Sequence, residues 1–148
     1  MTDQRGSTLT IEQANEFRRA VGEAVRIIRL GENTPDGQIE TLGFLAREGS
    51  LSIADLARRR RVRHQSMSAM VAELERRGLA AREADPDDAR GVLVSLTTAG
   101  HEMIRESRIR RSTRILTAAE TVLTPRERGM LGLMTDVLDK LTEALRDG

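Results

Sequence analysis

The chain has no cysteine, tryptophan or tyrosine, and only two of its 148 residues are phenylalanine. Without cysteine there is no disulfide, no thiolate zinc site and no thiol redox switch. Aromatics make up 1% of the residues, so packing falls to Leu, Val, Ile, Met and Ala. The stacking platforms favoured by binders of single strands and RNA are nearly excluded. No apolar run approaches the roughly 20 residues of a membrane span, and the N-terminus does not join a charged start to an apolar stretch. A cytoplasmic location is the expectation. Site chemistry is scarce too: His64 and His101 are the only histidines, and there is no HExxH, no glycine-rich phosphate loop and no G-x-S-x-G. Asp85-x-Asp87 opens like a calcium loop, but Arg90 stands at the sixth place, where glycine is needed, and Leu96 at the twelfth, where glutamate is needed. No enzymatic activity, metal or cofactor is expected.

What the chain does have is charge, unevenly spread. The formal net charge is only +1, yet residues 51–80 hold seven arginines against three acids and residues 101–116 five against two. The excesses are +4 and +3, and each remaining segment is about −2. The local figure points to a nucleic-acid partner where the total does not. A hydrophobic content of 39% over 148 residues is enough for one domain's core.

The rest is organised around residues 51–100, which read as helix, tight turn, helix and a two-stranded hairpin. Ser52 and Asp55 have capping-box spacing, with the acid able to return a bond to the cap's own backbone N–H. The helix that follows buries Ile53, Leu56 and Ala57. After a turn around Arg61 and Val62, a second helix from about Arg63 to Arg77 puts Met67, Met70, Val71 and Leu74 on one apolar stripe, and Gly78 ends it. The opposite face carries Gln65, Ala69, Ala72 and Arg76, with Ser68 beside it. A solvated face ordinarily carries Glu and Lys, whereas a helix in the major groove needs small residues near the bases and amide or hydroxyl groups for their edges. Alanine is also a good helix former at any exposed site, but Arg58, Arg59, Arg60, Arg61 and Arg63 surround the start of this helix with positive charge. Next, Leu79–Ala84 and Val92–Leu96 are strand candidates, with Val92, Val94 and Leu96 alternating as a half-buried strand does. The tip, Asp85 to Gly91, is rich in turn formers. Its acids repel phosphates, so either it is a solvated turn or Asp88 braces Arg90 for a minor groove.

Outside this unit, residues 1–8 are polar and expected to fray. Thr10 caps a helix with the stripe Ile11, Ala14, Phe17, Val21, Ala24, Val25 and Ile28, broken by Gly31 to Gly37. Another helix restarts near Pro35 to Gln38, carries Ile39, Leu42, Leu45 and Ala46, and stops at Glu48-Gly49-Ser50. Thr97 caps a helix from about Thr98 to Glu120, apolar at Met103, Ile104, Ile115, Leu116 and Ala119 and basic in its middle. Thr124-Pro125-Arg126-Glu127 is a capping box with proline at the first helical position. The stripe Met130, Met134, Val137, Leu138, Leu141 and Leu145 follows. The first helix and the last two must have their apolar faces covered, by a private bundle or by a second copy.

The strings LARRRRVRHQSMSAMVAELERRGL and DPDDARGVLVSLTTAG closely resemble the MarR (multiple-antibiotic-resistance regulator) transcription factors. The most specific part is Asp88-x-Arg90, then Leu96-Thr97 and Gly100, preceded by Arg76-Arg77-Gly78-Leu79. The resemblance implies a mainly α chain with a small β-wing, a single domain over 1–148. A winged helix-turn-helix would occupy residues 34–97, and dimerisation helices 9–31 and 98–146. It implies a sequence-specific double-stranded-DNA-binding regulator, a repressor, acting as a homodimer on a pseudo-palindromic operator with half-sites roughly 34 Å apart. Arg63 to Ala72 would lie on the recognition helix and Arg90 in the minor groove, held by Asp88. The candidate DNA-binding residues are Arg61, Arg63, His64, Gln65, Ser66, Ser68, Arg76, Asp88 and Arg90. Many relatives have a small capping residue where this chain has Arg63, and basic residues at Ala69, Glu73 and Ala89, so an operator cannot be borrowed from a relative. A small aromatic or anionic effector would bind between the dimer helices and the reading head, where Arg18, Arg26, Phe44, Arg47, His101 and Met103 are candidates, each equally readable as a surface or core residue. The rival reading is a helical protein-interaction module or anti-factor whose arginine-rich surface meets an acidic protein. Such a module has no need of the small, polar face of residues 65–72.

Overall fold

The computed structural model describes residues 8–32 and 34–147; residues 1–7, expected to fray, lie outside the described residues. The elements run α1 (Ile11–Arg29), α2 (Asp36–Glu48), β1 (Leu51–Ser52), α3 (Ile53–Arg60), α4 (His64–Arg76), β2 (Ala80–Asp85), β3 (Asp88–Leu96), α5 (Thr98–Val122) and α6 (Pro125–Asp147). The chain separates into two compact units, one up to Arg108 and one from Ile109. The first holds a winged helix-turn-helix: α3 and α4 joined by a tight turn, α2 behind them, and a small antiparallel sheet in the order β1-β3-β2.

Its core is aliphatic, as the shortage of aromatics dictates. Leu42 of α2, Leu56 of α3, Met67, Val71 and Leu74 of α4 and Val94 of β3 are fully buried, and Ile39, Leu45, Leu79 and Ile104 join them. Burying one such side chain completely contributes about 1.5–3 kcal/mol. The expected stripe on α4 is therefore the core side, with Met70 half-buried at its edge. Ile53, expected to be buried, is half-buried at the first position of α3.

The start of α3 departs from the expected capping box. The Ser52 hydroxyl accepts from the Asp55 backbone N–H (3.0 Å), but it also donates to Asp55 Oδ2 (2.8 Å), so the acid returns to the cap's hydroxyl and not to its backbone. Ser52 itself belongs to a third strand, β1, with Leu51 opposite Val94 and Ser52 opposite Leu93. The expected two-stranded hairpin is thus a three-stranded sheet.

At the other end of α4, Gly78 is left-handed (φ 69°) and two bonds close the helix: Gly78 N–H to Glu75 O (2.8 Å) and Leu79 N–H to Leu74 O (2.9 Å). That turn delivers Leu79 and Ala80 into the core and starts β2. β3 begins at Asp88, earlier than the sequence suggested, and the register slips between Ala84 and Asp85. Val92, expected on the buried side, is 47% exposed, because the alternation meets the core only from Val94 onward.

The junction of wing and α5 explains the Leu96-Thr97-x-x-Gly100 string sterically. Thr97 donates its hydroxyl to Gly78 O (2.6 Å), accepts from Gly100 N–H (3.0 Å) and sends its own N–H to Leu79 O (3.2 Å). A Cβ at Gly100 would lie 2.0 Å from the Leu79 oxygen, so only glycine lets α5 begin there.

The outer helices form as expected but stay uncovered in a single copy. α1 has its capping box, Thr10 with Gln13 (3.2 and 3.1 Å), yet none of its residues is buried and Ile11 is 85% exposed. α6 begins with the Thr124–Glu127 box (2.8 and 3.3 Å). Thr124's backbone N–H, and then its hydroxyl, hold the Glu127 carboxyl below the usual carboxylate range. Met130, Met134, Val137, Leu141 and Leu145 are exposed along α6, and Leu138 is half-buried. Among the described residues no helix is long and apolar enough to cross a membrane.

Candidate nucleic-acid interface

The first six candidates gather at the turn between α3 and α4 and in the first turns of α4. Arg61 closes α3 in the left-handed conformation (φ 52°) and is exposed. Arg63 is the N-cap of α4, with no side-chain bond to the helix. That leaves the first-turn N–H groups of α4 free of a side-chain cap, the arrangement that suits an anion at a helix N-terminus. His64, Gln65 and Ser66 follow on the exposed surface and Ser68 is half-buried. Ala69 and Ala72 continue the exposed face, so the direction opposite the core is small and little charged, as the periodicity predicted.

Electrostatically, the arginine run is less free than the sequence suggested. Arg58 pairs with Asp55 (2.9 Å), Arg59 with Glu48 (2.5 Å) and Arg60 with Glu40. The hydrogen bond from Arg59 to Glu48 raises the guanidinium's pKa, and the Ser52 hydroxyl, followed by the Arg58 and Arg59 charges, lowers that of Asp55. Arg61 and Arg63 have no side-chain partner among the described residues. The uncompensated positive charge of the run is therefore concentrated at the start of α4.

Arg76 lies at the far end of α4, about 18 Å along the axis at 1.5 Å per residue. It is engaged: its guanidinium donates to Glu73 from Nε (2.8 Å) and Nη2 (2.5 Å). Those bonds hold Glu73 below the usual carboxylate range and push Arg76 up. The pair is exposed on the arginine side, so the cation expected on the DNA is paired with Glu73 in this structure.

On the wing, Asp88 does hold Arg90, but by the main chain. Asp88 Oδ1 accepts from the Arg90 backbone N–H at 3.0 Å, and Asp85 Oδ1 accepts likewise from Asp87 N–H at 2.9 Å. The Arg90 guanidinium has no partner among the described residues. Two of the tip's acids thus serve as turn locks, and Arg90 is exposed. Sequence reasoning missed Arg82, which reaches from β2 to Glu75 of α4 at 3.5 Å. No local pattern signals a contact between elements.

The expected effector residues are partly engaged elsewhere. Arg18 bonds Asn15 (3.0 Å), Arg26 bonds Glu23 (2.6 Å), Arg47 stacks over the Phe44 ring (5.0 Å to the centroid), and Met103 accepts from the Thr34 hydroxyl (3.6 Å). A cavity of about 280 Å³ in the second unit is lined by Ser112, Ile115, Leu116, Ala119, Arg128 and Leu131, and contains none of them. Among the described residues no cluster of three or more His, Asp or Glu stands ready for a metal ion.

The MarR family model matches residues 33–91. Over 71 residues the chain is 41% identical to an uncharacterised HTH-type transcriptional regulator of Mycobacterium leprae, a stretch that makes up 48% of this chain and 50% of that protein. Across residues 33–91 the chain is thus similar to the MarR family. It spans half the length of the curated relatives it matches. The MarR fold extends further. A mutant MarR from E. coli superposes with a TM-score of 0.73 at 21% identity, covering 88% of this chain and 99% of that one. A mutant MepR from S. aureus, solved bound to an oligodeoxyribonucleotide, gives 0.64 at 23% identity, covering 86% and 96%. In this chain Arg63 leaves the start of α4 without a side-chain cap, and Glu73 is turned onto Arg76.

Proposed function

We propose that this chain is a MarR-family, sequence-specific regulator of transcription that binds double-stranded DNA as a homodimer and represses from a pseudo-palindromic operator. The observation that carries the reading is α4, whose outward face offers Gln65, Ala69 and Ala72 while the two unpartnered arginines, Arg61 and Arg63, stand at its start. Small residues allow close approach to base edges, the Gln65 amide can pair bidentately with adenine, and the arginines can meet the phosphates on either side. The DNA-bound MepR neighbour supports the same use of the fold. The uncovered stripes of α1 and α6 support the homodimer, because contiguous exposed aliphatic surface marks an interface. Two copies related by a twofold axis would present two reading heads. Repression, and release by a small anionic aromatic ligand, rest on the family resemblance alone.

The test is selection of duplexes from a random library by the purified chain, followed by titration of a selected and a scrambled duplex at moderate salt. Preference for the selected duplex is expected, and Gln65→Ala should reduce it by about 1–3 kcal/mol per half-site while leaving scrambled DNA bound as before. Equal binding of both duplexes by the wild-type chain would overturn the reading.

A further inference from the structure

We propose that Glu40 is a positioning residue that ties the end of α1 to the turn before the recognition helix. The proposal rests on the reading of α4 given above. Glu40 lies on α2 and divides its two oxygens between two helices. Oε2 accepts from Arg60 Nη1, and Oε1 lies 3.1 Å from Arg29 Nη1. Arg29 is the last residue of α1 and Arg60 the last of α3. The residue after Arg60 is Arg61, whose left-handed backbone sends the chain into α4. One carboxylate therefore connects a helix outside the reading head to the bend that aims the recognition helix.

The Arg60 side of this junction is enclosed. Its side chain is only 12% exposed, and Nε has no hydrogen-bond partner among the described residues; among those residues Glu40 is the carboxylate that pairs with it. Exposed ion pairs contribute little, but a covered charge that loses its partner is costly and moves toward water. The guanidinium is also wedged against α2 one turn earlier. A Cβ at Gly37 would lie 3.3 Å from Arg60 Nη2 and 3.1 Å from Cε of Met70 on α4. Met70 in turn receives the Thr41 hydroxyl at 3.0 Å. The strip of α2 from Gly37 to Thr41 is thus where α3 and α4 both press, and Glu40 is where α1 joins them. Asp36, 3.7 Å from Arg29, adds a second, more distant hold on the α1 side. A displacement of α1 withdraws Arg29 from Glu40, changes how Glu40 holds Arg60, and so re-aims the start of α4.

The experiment is a double-mutant cycle on the full chain: wild type, Arg29→Gln, Glu40→Gln and the double variant, titrated against the selected and the scrambled duplex. Each single variant should lose affinity for the selected duplex on the order of tenfold, with scrambled DNA and dimer mass unchanged. Arg29→Gln should cost nothing further in the Glu40→Gln background. Losses that add, losses shared equally by the scrambled duplex, or an Arg29→Gln variant indistinguishable from wild type would overturn the junction. Should Glu40→Gln fail to fold, Glu40→Asp, which keeps the charge and shortens the reach, takes its place in the cycle with the same expectation. The wild-type titration separates the two readings. If the wild type does not discriminate between duplexes, recognition and junction both fall; if it does and the losses add, only the junction falls.

Discussion

The reading head and the outer helices are built from the same residue types, yet they end in opposite states. The head buries Leu42, Leu56, Met67, Val71, Leu74 and Val94 completely, whereas α1 buries nothing and α6 leaves Leu145 74% exposed. Periodicity tells which side of a helix is apolar; it does not tell whose surface covers that side. In the head the cover comes from the same chain within about fifty residues. On α1 and α6 a single copy does not provide it. The head should therefore be stable on its own account, and the outer helices should owe stability to concentration, as mass action requires of a folded oligomer.

The largest effect that can break this contrast is Leu138→Glu, on the half-buried line of α6. If a second copy covers that line, an unpaired charge there costs several kcal/mol. Light scattering at micromolar concentration should fall from twice the chain mass to the monomer. A wild-type monomer, or a variant that keeps the dimer mass, ends the contrast. Next comes Leu74→Ala, which removes a fully buried side chain and should cost the head about 2–5 kcal/mol at every protein concentration, read from denaturant unfolding. A cost that changes with concentration would show that the head, too, depends on a partner.

Smaller effects sharpen the same contrast inside the head, between its core and its tip. Arg90→Ala should weaken DNA binding and reduce the salt slope by about one per subunit. Asp88→Ala should weaken it a few-fold, because the carboxylate holds the Arg90 backbone N–H. Deleting an acid near phosphates would tighten binding if charge alone mattered, so tighter binding by Asp88→Ala removes the brace. The smallest effect concerns the start of α6. Glu127 titrates below the ordinary carboxylate range because Thr124 bonds its ionised form. The stabilisation is thus present above that range and lost as pH falls through the lowered value. Hydrogen-exchange protection of the first-turn amides of α6, taken relative to the intrinsic rate at each pH, should fall on acidification in wild type. It should show no such step in Glu127→Gln.

Much of this was legible in the sequence, for identifiable reasons. Helix starts were readable where the signal is local: Thr10 with Gln13, Thr124 with Glu127, and Gly78 at the end of α4 all lie within a turn of what they cap. The recognition face was readable because Met67, Val71 and Leu74 fix the core side and so the opposite one. What escaped was contact between distant segments. The run Arg58 to Arg60 looked like free charge because its acids Glu40 and Glu48 sit on another helix. β1 is two residues long and exists only through its pairing with β3. Val92 kept the strand rhythm but lies beyond the end of the core. Asp88 holds Arg90 through the backbone N–H, a choice of atoms that spacing does not make, since it does not distinguish a hold on a guanidinium from one on the main chain.

The close approach at Gly100 sets where this chain can be cut and rejoined. Thr97 is bonded to Gly78 and Leu79, and the first turn of α5 lies against the Leu79 carbonyl. The end of the recognition helix and the start of α5 are therefore one fitted joint, although eighteen residues of wing separate Gly78 from Thr97 in the chain. A hybrid regulator made by exchanging reading heads at the obvious seam, after Leu96, would join two halves of that joint from different parents. A graft carried through Gly100 transfers the joint whole, so the exchangeable module is longer than the helix-turn-helix and its wing by the first turn of the helix that follows.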